Sequence, residues 1–414
     1  MRAIFVLLVV ASTAAGCAMP GNGADDDPDD ASTGVTFLPP VMLGDGGPEP
    51  VIFFSPEGDT LYVTAQDIDG GSPHVWASTD GGVSFRASRP NAEGGGEVDG
   101  AAGAGGLVYV TQLGTRGNVI SISRDSGQTW QTSPLSGASQ YFDREWLTVD
   151  ADGRVFFVAR QFGADTAAGV ARSDDEGQTF PPRGQAWNGL NEPGAANGNM
   201  ISVGTTVHLV YLCRDGNAVC VSTSSDGGSV WTQSLVVARS VTTANVYPVI
   251  GAVADGLVVV WADASTGTLA VWSAYSSDGR TWSAPVRVTP EGTTAALPWV
   301  TAREGTAWVV YLTTDGALAA TDSSAAEQAV WRVSAQAIDA RGKPSGAPLL
   351  VSSEPVHQGV ISPPVGQTSG GARDRNFGDF FTATVGPDSR LFVATSRDDG
   401  TAASVVDVVI AQAP

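Results

Sequence analysis

Residues 173–180 read Ser-Asp-Asp-Glu-Gly-Gln-Thr-Phe, and four near-copies of this segment elsewhere in the 414-residue chain decide the fold. The copies start at Ser78, Ser123, Ser173, Ser224 and Ser276, so successive starts are 45, 50, 51 and 52 residues apart. An Asp or Ser side chain in such a segment can bond nearby backbone N–H groups, and Gly tolerates the positive φ of a tight turn. Copies at so regular a spacing indicate one structural unit that is repeated along the chain.

Four strand-like runs surround each copy. In the first unit they are VIFFS, TLYVTAQ, HVWAS and VSFRAS, separated by Gly, Asp or Pro. A degenerate copy of the turn at Asp339-Ala340-Arg341-Gly342 marks a sixth unit, and a seventh follows it. Residues 325–340 could be helical from their Ala, Glu and Gln content, but the repeat favours a strand there. The last unit lacks its fourth strand, and VTFLPPVML at residues 35–43 could supply that strand and close a ring.

The repeated signature resembles the Asp-box, or BNR, repeat of sialidases and related β-propellers, S-x-D-x-G-x-T-W. The resemblance implies an all-β propeller of four-stranded blades, in which radial closure hides the sheet edges. Our count favours seven blades, and six is the alternative because the sialidases have six. In these propellers the box joins the third and fourth strands on the rim away from the catalytic face. We therefore assign a structural role to the box aspartates, which are Asp80, Asp125, Asp175, Asp226 and Asp278.

The N-terminus has the layout of a bacterial lipoprotein signal. Residues 1–16 hold one Arg, an apolar run too short to span a bilayer, and then small residues. Ala14-Ala15-Gly16-Cys17 resembles a lipobox, in which the cysteine becomes the lipidated first residue. An ordinary signal peptide with a chance cysteine is the alternative. We predict a protein of the bacterial cell envelope, held at the outer membrane or the cell surface by the lipid on Cys17 alone.

Charge and composition divide the rest of the chain. Residues 17–34 carry five Asp between positions 25 and 30 and no apolar periodicity, which predicts a disordered acidic tether. Residues 35–414 form the propeller. The formal net charge of −21 argues against nucleic-acid binding, which needs a basic surface.

Cys213 and Cys220 are predicted to form a disulfide in the oxidising compartment that export implies. With Gly216-Asn217 as a two-residue hairpin turn, the two cysteines would lie directly opposite each other. Two buried free thiols are the alternative.

The loops that lead into each first strand gather on one face of a propeller, where function usually lies. The segment Asp143-Arg144-Glu145-Trp146, together with the later NFGDFF, resembles a pattern of bacterial sialidase-like BNR proteins. A sialidase has three arginines that clamp the substrate carboxylate, a Tyr nucleophile activated by Glu, and an Asp acid/base. The residues that could match are Arg144, Arg160 and Arg375 for the clamp, Tyr247 for the nucleophile, Glu145 or Glu97 for its partner, and Asp143 or Asp379 for the acid.

Two functions stay open at this point. The first is a non-catalytic propeller that binds a glycan or a surface protein through its loop face. The second is a glycoside hydrolase of the exo-sialidase type that releases terminal sialic acid or a related acidic sugar. The family's early Arg-Ile-Pro motif is absent, and Arg144 between two acids could instead belong to a rim ion-pair network. We predict a monomer without a cofactor or a metal site, although structural Ca²⁺ in the acidic loops stays open.

Replacing Cys17 by Ala should release the protein from membranes, because the sequence offers no other anchor. Fractionation of cells that express the full-length variant, with the wild-type chain alongside, measures this. Membrane association equal to that of the wild type would contradict lipidation at Cys17.

Overall fold

In the computed structural model, seven antiparallel β-sheets surround one axis as the blades of a propeller, so the predicted fold class and blade number are confirmed. The structure describes residues 35–67, 69–92, 94, 96–114, 117–135, 142–161, 167–188, 196–241, 247–314, 316–318, 328–361, 377–398 and 404–412. Among these residues every regular element is a β-strand, and no helix is long and apolar enough to cross a membrane. The predicted signal segment, tether and Cys17 lie outside the described residues.

Blades 1 to 6 are meanders in which four successive strands pair each with the next one along the chain. Blade 1 contains β2 (Val51–Phe54), β3 (Leu61–Ala65), β4 (His74–Ser78) and β5 (Arg86–Ser88). Blade 2 contains β6 (Val98–Ala102), β7 (Val108–Gly114), β8 (Gly117–Ser123) and β9 (Gln131–Pro134). Blade 3 contains β10 (Phe142–Val149), β11 (Val155–Gln161), β12 (Ala167–Ser173) and β13 (Pro182–Asn188). Blade 4 contains β14 (Ala196–Val203), β15 (Thr206–Cys213), β16 (Ala218–Ser224) and β17 (Thr232–Arg239).

The remaining blades complete the ring. Blade 5 contains β18 (Val249–Val253), β19 (Gly256–Asp263), β20 (Ala270–Ser276) and β21 (Val286–Arg287). Blade 6 contains β22 (Ala295–Arg303), β23 (Thr306–Thr314), β24 (Val330–Ala337), β25 (Leu349–Leu350) and a short extra strand, β26 (His357–Gln358), which also pairs with β24. Blade 7 contains β27 (Thr382–Val385), β28 (Leu391–Asp398), β29 (Ser404–Ile410) and the N-terminal β1 (Val41–Asp45). The strand favoured in the sixth unit is therefore present as β24.

The second strand of each blade is buried on both faces because each sheet packs between two neighbouring blades. In β15 and β19 every residue after the first is buried, and the sequences read as nearly continuous apolar runs rather than alternating ones. The core is accordingly a series of apolar layers between successive sheets.

Pairing of the two chain ends closes the ring, as predicted. Strand β1 is antiparallel to β29, with Val41 opposite Val408 and Asp45 opposite Val405. The strand begins at Val41, later than the predicted run, because the two prolines before it have no N–H to donate to a ladder. Phe37 still bridges to Ala411 on the far side of these prolines.

Each Asp-box is a hydrogen-bonded turn between the third and fourth strands. In blade 3 the Ser173 hydroxyl donates to Asp175 Oδ1 at 2.7 Å, and Thr179 donates its N–H to Oδ1 at 2.9 Å and its hydroxyl to Oδ2 at 2.7 Å. These bonds lower the pKa of Asp175 to about 2. Gly177, with φ 83°, donates its N–H to the Ser173 hydroxyl at 2.7 Å.

The box of one blade also packs on the preceding blade. A Cβ at Gly177 would lie 2.8 Å from Ile122 and 2.9 Å from Tyr109, both in blade 2. Across the ring seam, a Cβ at Gly82 in blade 1 would lie 2.6 Å from Ile410 in blade 7. The glycine is needed both for its positive φ and for this close approach, so the boxes join the blades at the rim.

Cys213 and Cys220 form a disulfide with a Cα–Cα distance of 6.0 Å. The predicted register was wrong, because Cys213 pairs with Ala218 and Cys220 pairs with Tyr211. The loop between β15 and β16 has four residues rather than two, and Arg214 and Asp215 both have positive φ. The bridge is therefore diagonal across the hairpin.

Replacing Asp175 by Ala should lower the free energy of unfolding at pH 7 by about 1 to 2 kcal/mol, because three hydrogen bonds to a carboxylate are lost. The folded state holds the pKa of Asp175 below its ordinary 3.8, so this contribution exists above pH 4 and disappears as the pH falls towards 2. Denaturant unfolding at a series of pH values measures the difference between variant and wild type.

Asp255→Ala is the control, since Asp255 is an exposed aspartate in the turn between β18 and β19. A loss for Asp175→Ala that is no larger than this control, or that is unchanged at pH 2, would contradict a structural role for the box carboxylate.

Candidate functional site at the mouth of the channel

Three side chains from blades that are not neighbours meet at one end of the channel. Tyr247 precedes β18 of blade 5, and the Cζ of Arg144, from blade 3, lies 3.6 Å from the centroid of its ring. The Tyr247 hydroxyl lies 3.5 Å from Oδ2 of Asp379, which precedes β27 of blade 7. Arg144 Nη2 is 3.8 Å from the same oxygen. Blades 3, 5 and 7 can make such contacts only at the axis.

The backbone of Arg144 is held on both sides by neighbouring blades. Its N–H donates to Glu97 Oε2 of blade 2 at 2.7 Å, and its carbonyl accepts from Asn197 Nδ2 of blade 4 at 2.7 Å. Arg144 has φ 60° in an irregular part of β10, where the register with β11 shifts between Asp143 and Trp146. The bulge turns the guanidinium towards the axis.

Glu49 belongs to this site, although sequence reasoning did not single it out. It precedes β2 of blade 1 and accepts the Asp379 N–H at 2.7 Å, while its second oxygen accepts from the Gln66 amide. Oxygens of Glu49, Glu97 and Asp379 all lie within 4.8 Å of one another. Several blades have an acidic residue just before their first strand, and this pattern in the sequence could have identified Glu49. We call Glu49, Glu97, Arg144, Tyr247 and Asp379 the axial cluster.

Burial sets the electrostatics of the carboxyl groups around the cluster. It raises the pKa of Glu97 well above its ordinary value, and the charges of Glu49 and Asp143 add to the effect. It also raises the pKa of Glu145, with Glu97 as the largest contributing charge. Asp99, two residues after Glu97 and within β6, has a pKa raised to about 7 by burial. Burial, followed by the charge of Arg144, lowers the pKa of Arg160.

Asp143 and Arg160 form the solvent side of the site. They lie opposite each other on β10 and β11, and Asp143 Oδ2 is 3.6 Å from Arg144 Nε. The Asp143 side chain is 28% exposed, the Arg144 side chain is 12% exposed, and Arg160 is half-buried. The site therefore presents charged groups of both signs to a ligand that approaches along the axis.

The structure brings together some of the residues that were predicted to be catalytic, but their hydrogen-bond partners differ from the predicted ones. The partner of Tyr247 is Asp379, whereas Glu97 bonds the backbone of Arg144. Glu145 is buried, and neither of its oxygens has a hydrogen-bond partner among the described residues. Neither glutamate that we considered for activating Tyr247 is therefore bonded to it. Arg375, the third predicted clamp arginine, lies outside the described residues.

An aromatic floor, made of Trp146, Trp299 and Phe380, packs between blades 3, 6 and 7 next to residues of the axial cluster. Trp146 of blade 3 lies 5.9 Å from Trp299 of blade 6 and 5.1 Å from Phe380, which follows Asp379, measured between ring centroids. The Trp299 indole donates to the Ala383 carbonyl at 3.1 Å. The charged groups of the mouth are thus adjacent along the chain to a packed apolar layer.

No known protein-family description matches the chain, and no protein of curated function matches it. Solved structures match its fold. An ulvan lyase of a polysaccharide lyase family is 13% identical, with 89% of this chain and 95% of that chain covered and a TM-score of 0.53. A Hadza microbial sialidase is 16% identical, with 64% of this chain and 63% of that chain covered and a TM-score of 0.47. A Trypanosoma rangeli sialidase is 11% identical, with 91% and 59% covered and a TM-score of 0.46. At these identities the likeness shows the propeller fold and nothing about activity.

Replacing Trp146 by Ala should lower the free energy of unfolding by about 3 kcal/mol or more, because a buried indole is removed from the axial floor. Trp146→Phe keeps an aromatic ring at this position, so it should lower the free energy of unfolding by less than half as much as Trp146→Ala. Chemical denaturation of both variants measures this. Equal losses for Phe and Ala would contradict a packed aromatic floor.

Proposed function

We propose that the protein binds a carboxylate-bearing glycan at the mouth of its channel. The observation that carries the proposal is the convergence of Arg144, Tyr247 and Asp379 from separate blades, next to an apolar floor and the half-buried Arg160. A planar ring and fixed guanidinium groups are the groups that orient a sugar and its carboxylate. The negative net charge of the protein repels an anionic sugar. Local arginines such as these must therefore supply the attraction that holds it.

The propellers of similar fold add support at the level of substrate class. One solved structure of the ulvan lyase is a complex with -[GlcA(1-4)Rha3S]-, and its TM-score against this chain is 0.52. That glycan carries a uronic acid. The likeness concerns fold, so the chemistry of the axial cluster remains the argument for a carboxylate-bearing ligand. The proposal includes display at the cell envelope through the lipid on Cys17.

Glycoside cleavage is the second candidate, favoured by the 3.5 Å separation between the Tyr247 hydroxyl and Asp379. Asp379 would take the phenol proton, and the Tyr247 oxygen would form a bond to the anomeric carbon as the glycosidic bond breaks. The departing oxygen would take a proton from Asp143, whose side chain is 28% exposed. Water would then hydrolyse the glycosyl-tyrosine, giving its proton to Asp143, while Asp379 returns its proton to Tyr247. The Arg144 guanidinium over the ring stabilises the phenolate.

Glycan binding tests the first candidate. In calorimetry we expect the full-length protein to bind sialylated or uronate-containing oligosaccharides. We expect no detectable binding of their neutral analogues. Arg160→Ala should weaken binding at least about tenfold, because a charge-assisted contact is lost. Arg183→Ala is the matched control, since Arg183 is a partly exposed arginine that pairs with Asp174 at the rim. Equal affinity for neutral glycans, or equal losses in the two variants, would sink the proposal.

Turnover tests the second candidate on a fluorogenic sialoside and on uronate polymers. Tyr247→Phe should abolish release while leaving glycan affinity within a few-fold of the wild type, because only the hydroxyl is removed. Turnover that survives in Tyr247→Phe would exclude the tyrosine route. Binding without turnover in the wild type would leave the propeller as a glycan-binding protein.

A further inference from the structure

Blade 4 has a cavity at its outer edge, away from the axis. The first strands of neighbouring blades contact one another, so β14 is the innermost strand of this blade and β17 is the outermost. The cavity has a volume of about 510 Å³ and lies where the β15–β16 hairpin meets the segment after β17. Its lining consists of Arg214, Asn217, Ala218, Arg239, Ser240 and Val241.

The strand register places this cavity at the end of blade 4 that faces the axial cluster. Near the start of β14, Asn197 lies opposite Tyr211 of β15, and its side chain donates to the Arg144 carbonyl at 2.7 Å. Strand β15 ends at Cys213, two residues after Tyr211. Strand β17 runs parallel to β15 and ends at Arg239, so both strands reach the same edge of the blade. Neighbouring strands are about 4.8 Å apart, and three such steps put Arg239 about 15 Å outward from Asn197.

The lining supplies positive charge without an adjacent acid. Arg214 and Arg239 are exposed, and neither guanidinium group has a hydrogen bond or an ion pair to another described residue. Arginines at the rim commonly face an acid, as Arg124 faces Glu176 at 2.9 Å. The described lining of the cavity contains only neutral residues and these two arginines. In a chain with a net charge of −21, two such arginines make a local positive site.

The loop that carries Arg214 is held in a fixed shape. The disulfide of the hairpin begins at Cys213, directly before Arg214. The Asn217 N–H donates to the Arg214 carbonyl at 3.2 Å, and the Val241 N–H donates to the Asn217 carbonyl at 3.2 Å. The second bond ties the hairpin to the segment that follows β17 and its terminal arginine. A site whose loops are already ordered loses less entropy when a ligand binds.

We propose that this cavity, which we call the outer arginine site, binds a carboxylate or sulfate group of an acidic polysaccharide. Arginine pairs with such oxyanions through parallel hydrogen bonds, and the Asn217 amide and the Ser240 hydroxyl can donate further ones. The inference rests on the proposed glycan function, because another sugar of the same chain occupies the channel mouth. Two sites about 15 Å apart require a ligand of several sugars rather than a single terminal sugar.

Calorimetry with ligands of different length tests the outer arginine site in the full-length protein. A galacturonate octasaccharide should bind the wild type at least about tenfold more tightly than the disaccharide, because only the longer chain reaches both sites. The double variant Arg214→Gln/Arg239→Gln should lose this gain. It should melt at the wild-type temperature, because the two exposed side chains it alters have no described partners. A sulfated dextran series distinguishes the two acid groups, since the gain appears with the group that the site binds.

Arg280→Gln is the matched control for calorimetry. Arg280 is an exposed arginine in the Asp-box turn after β20, at the opposite end of the blades from the channel mouth. This variant should keep the full gain with length. A gain that survives in the double variant, or that is absent from the wild type with both kinds of glycan, would overturn the inference.

Modification of arginines by phenylglyoxal, mapped by mass spectrometry, locates the contact. Arg214, Arg239 and Arg280 are exposed and should all react in the free protein. The bound octasaccharide should protect the first two and leave Arg280 reactive. Protection by inorganic sulfate, at the same concentration of anionic groups, would reduce the cavity to a site for free anions and overturn the inference.

The same experiment separates the outer arginine site from the proposed function at the mouth. If the octasaccharide binds while Arg214 and Arg239 stay reactive, the outer site is wrong and the proposed function stands. If both arginines are protected while Arg160→Ala binds as tightly as the wild type, the proposed function is wrong and the outer site stands. A wild type that binds neither kind of glycan would overturn both.

Discussion

The antiparallel pairing of β1 with β29 is the interaction on which the rest of the ring depends. It brings residues near position 45 against residues near position 405 and so joins blade 7 to blade 1. Across the same seam the Thr382 hydroxyl accepts the Ile52 N–H at 2.8 Å, and Glu49 accepts the Asp379 N–H at 2.7 Å. Two members of the axial cluster therefore meet, 330 residues apart in sequence, only because the ring is closed. Closure of the ring is therefore also what assembles this part of the site.

The architecture was predictable because its information is local and repeated. Each box holds an Asp, a Gly and an aromatic residue within eight positions, and the spacing of successive boxes gives the number of blades. Even the degenerate sixth turn obeys the rule, since Asp339 Oδ1 accepts the N–H groups of Arg341 and Lys343 at 2.8 and 2.9 Å. The hairpin of Cys213 and Cys220 shows where local reasoning fails. Positive φ at two non-glycine residues makes a four-residue loop, and no composition rule indicated it.

The sequence predicted which loops carry the site residues, but not how those residues pair. Asp143, Arg144, Tyr247 and Asp379 were identified because they precede or begin first strands, and the structure brings them to one place. Their pairing was not predictable, because Tyr247 and Asp379 are 132 residues apart and the angle between blades 5 and 7 decides which carboxyl faces the phenol. Arg144 depends on a bulge whose backbone is held by Glu97 and Asn197 from two other blades. Such a three-blade contact has no signature in any one segment.

The acids of this chain fall into physically different groups, although each counts equally in the net charge. Box aspartates such as Asp175 lie at the rim and accept several hydrogen bonds from their own turn, which lowers their pKa. Glu97 and Glu145 at the mouth have the opposite pKa shift, because burial and the charges of neighbouring acids disfavour their charged forms. A carboxylate satisfied by its turn stabilises the fold, whereas a buried carboxyl without partners opposes folding. Carboxyl groups with raised pKa values, brought together here from blades 2 and 3, are typical of functional sites. The position of Glu97 and Glu145 beside Arg144 therefore supports the channel mouth, rather than the boxes that define the fold, as the place of the proposed function.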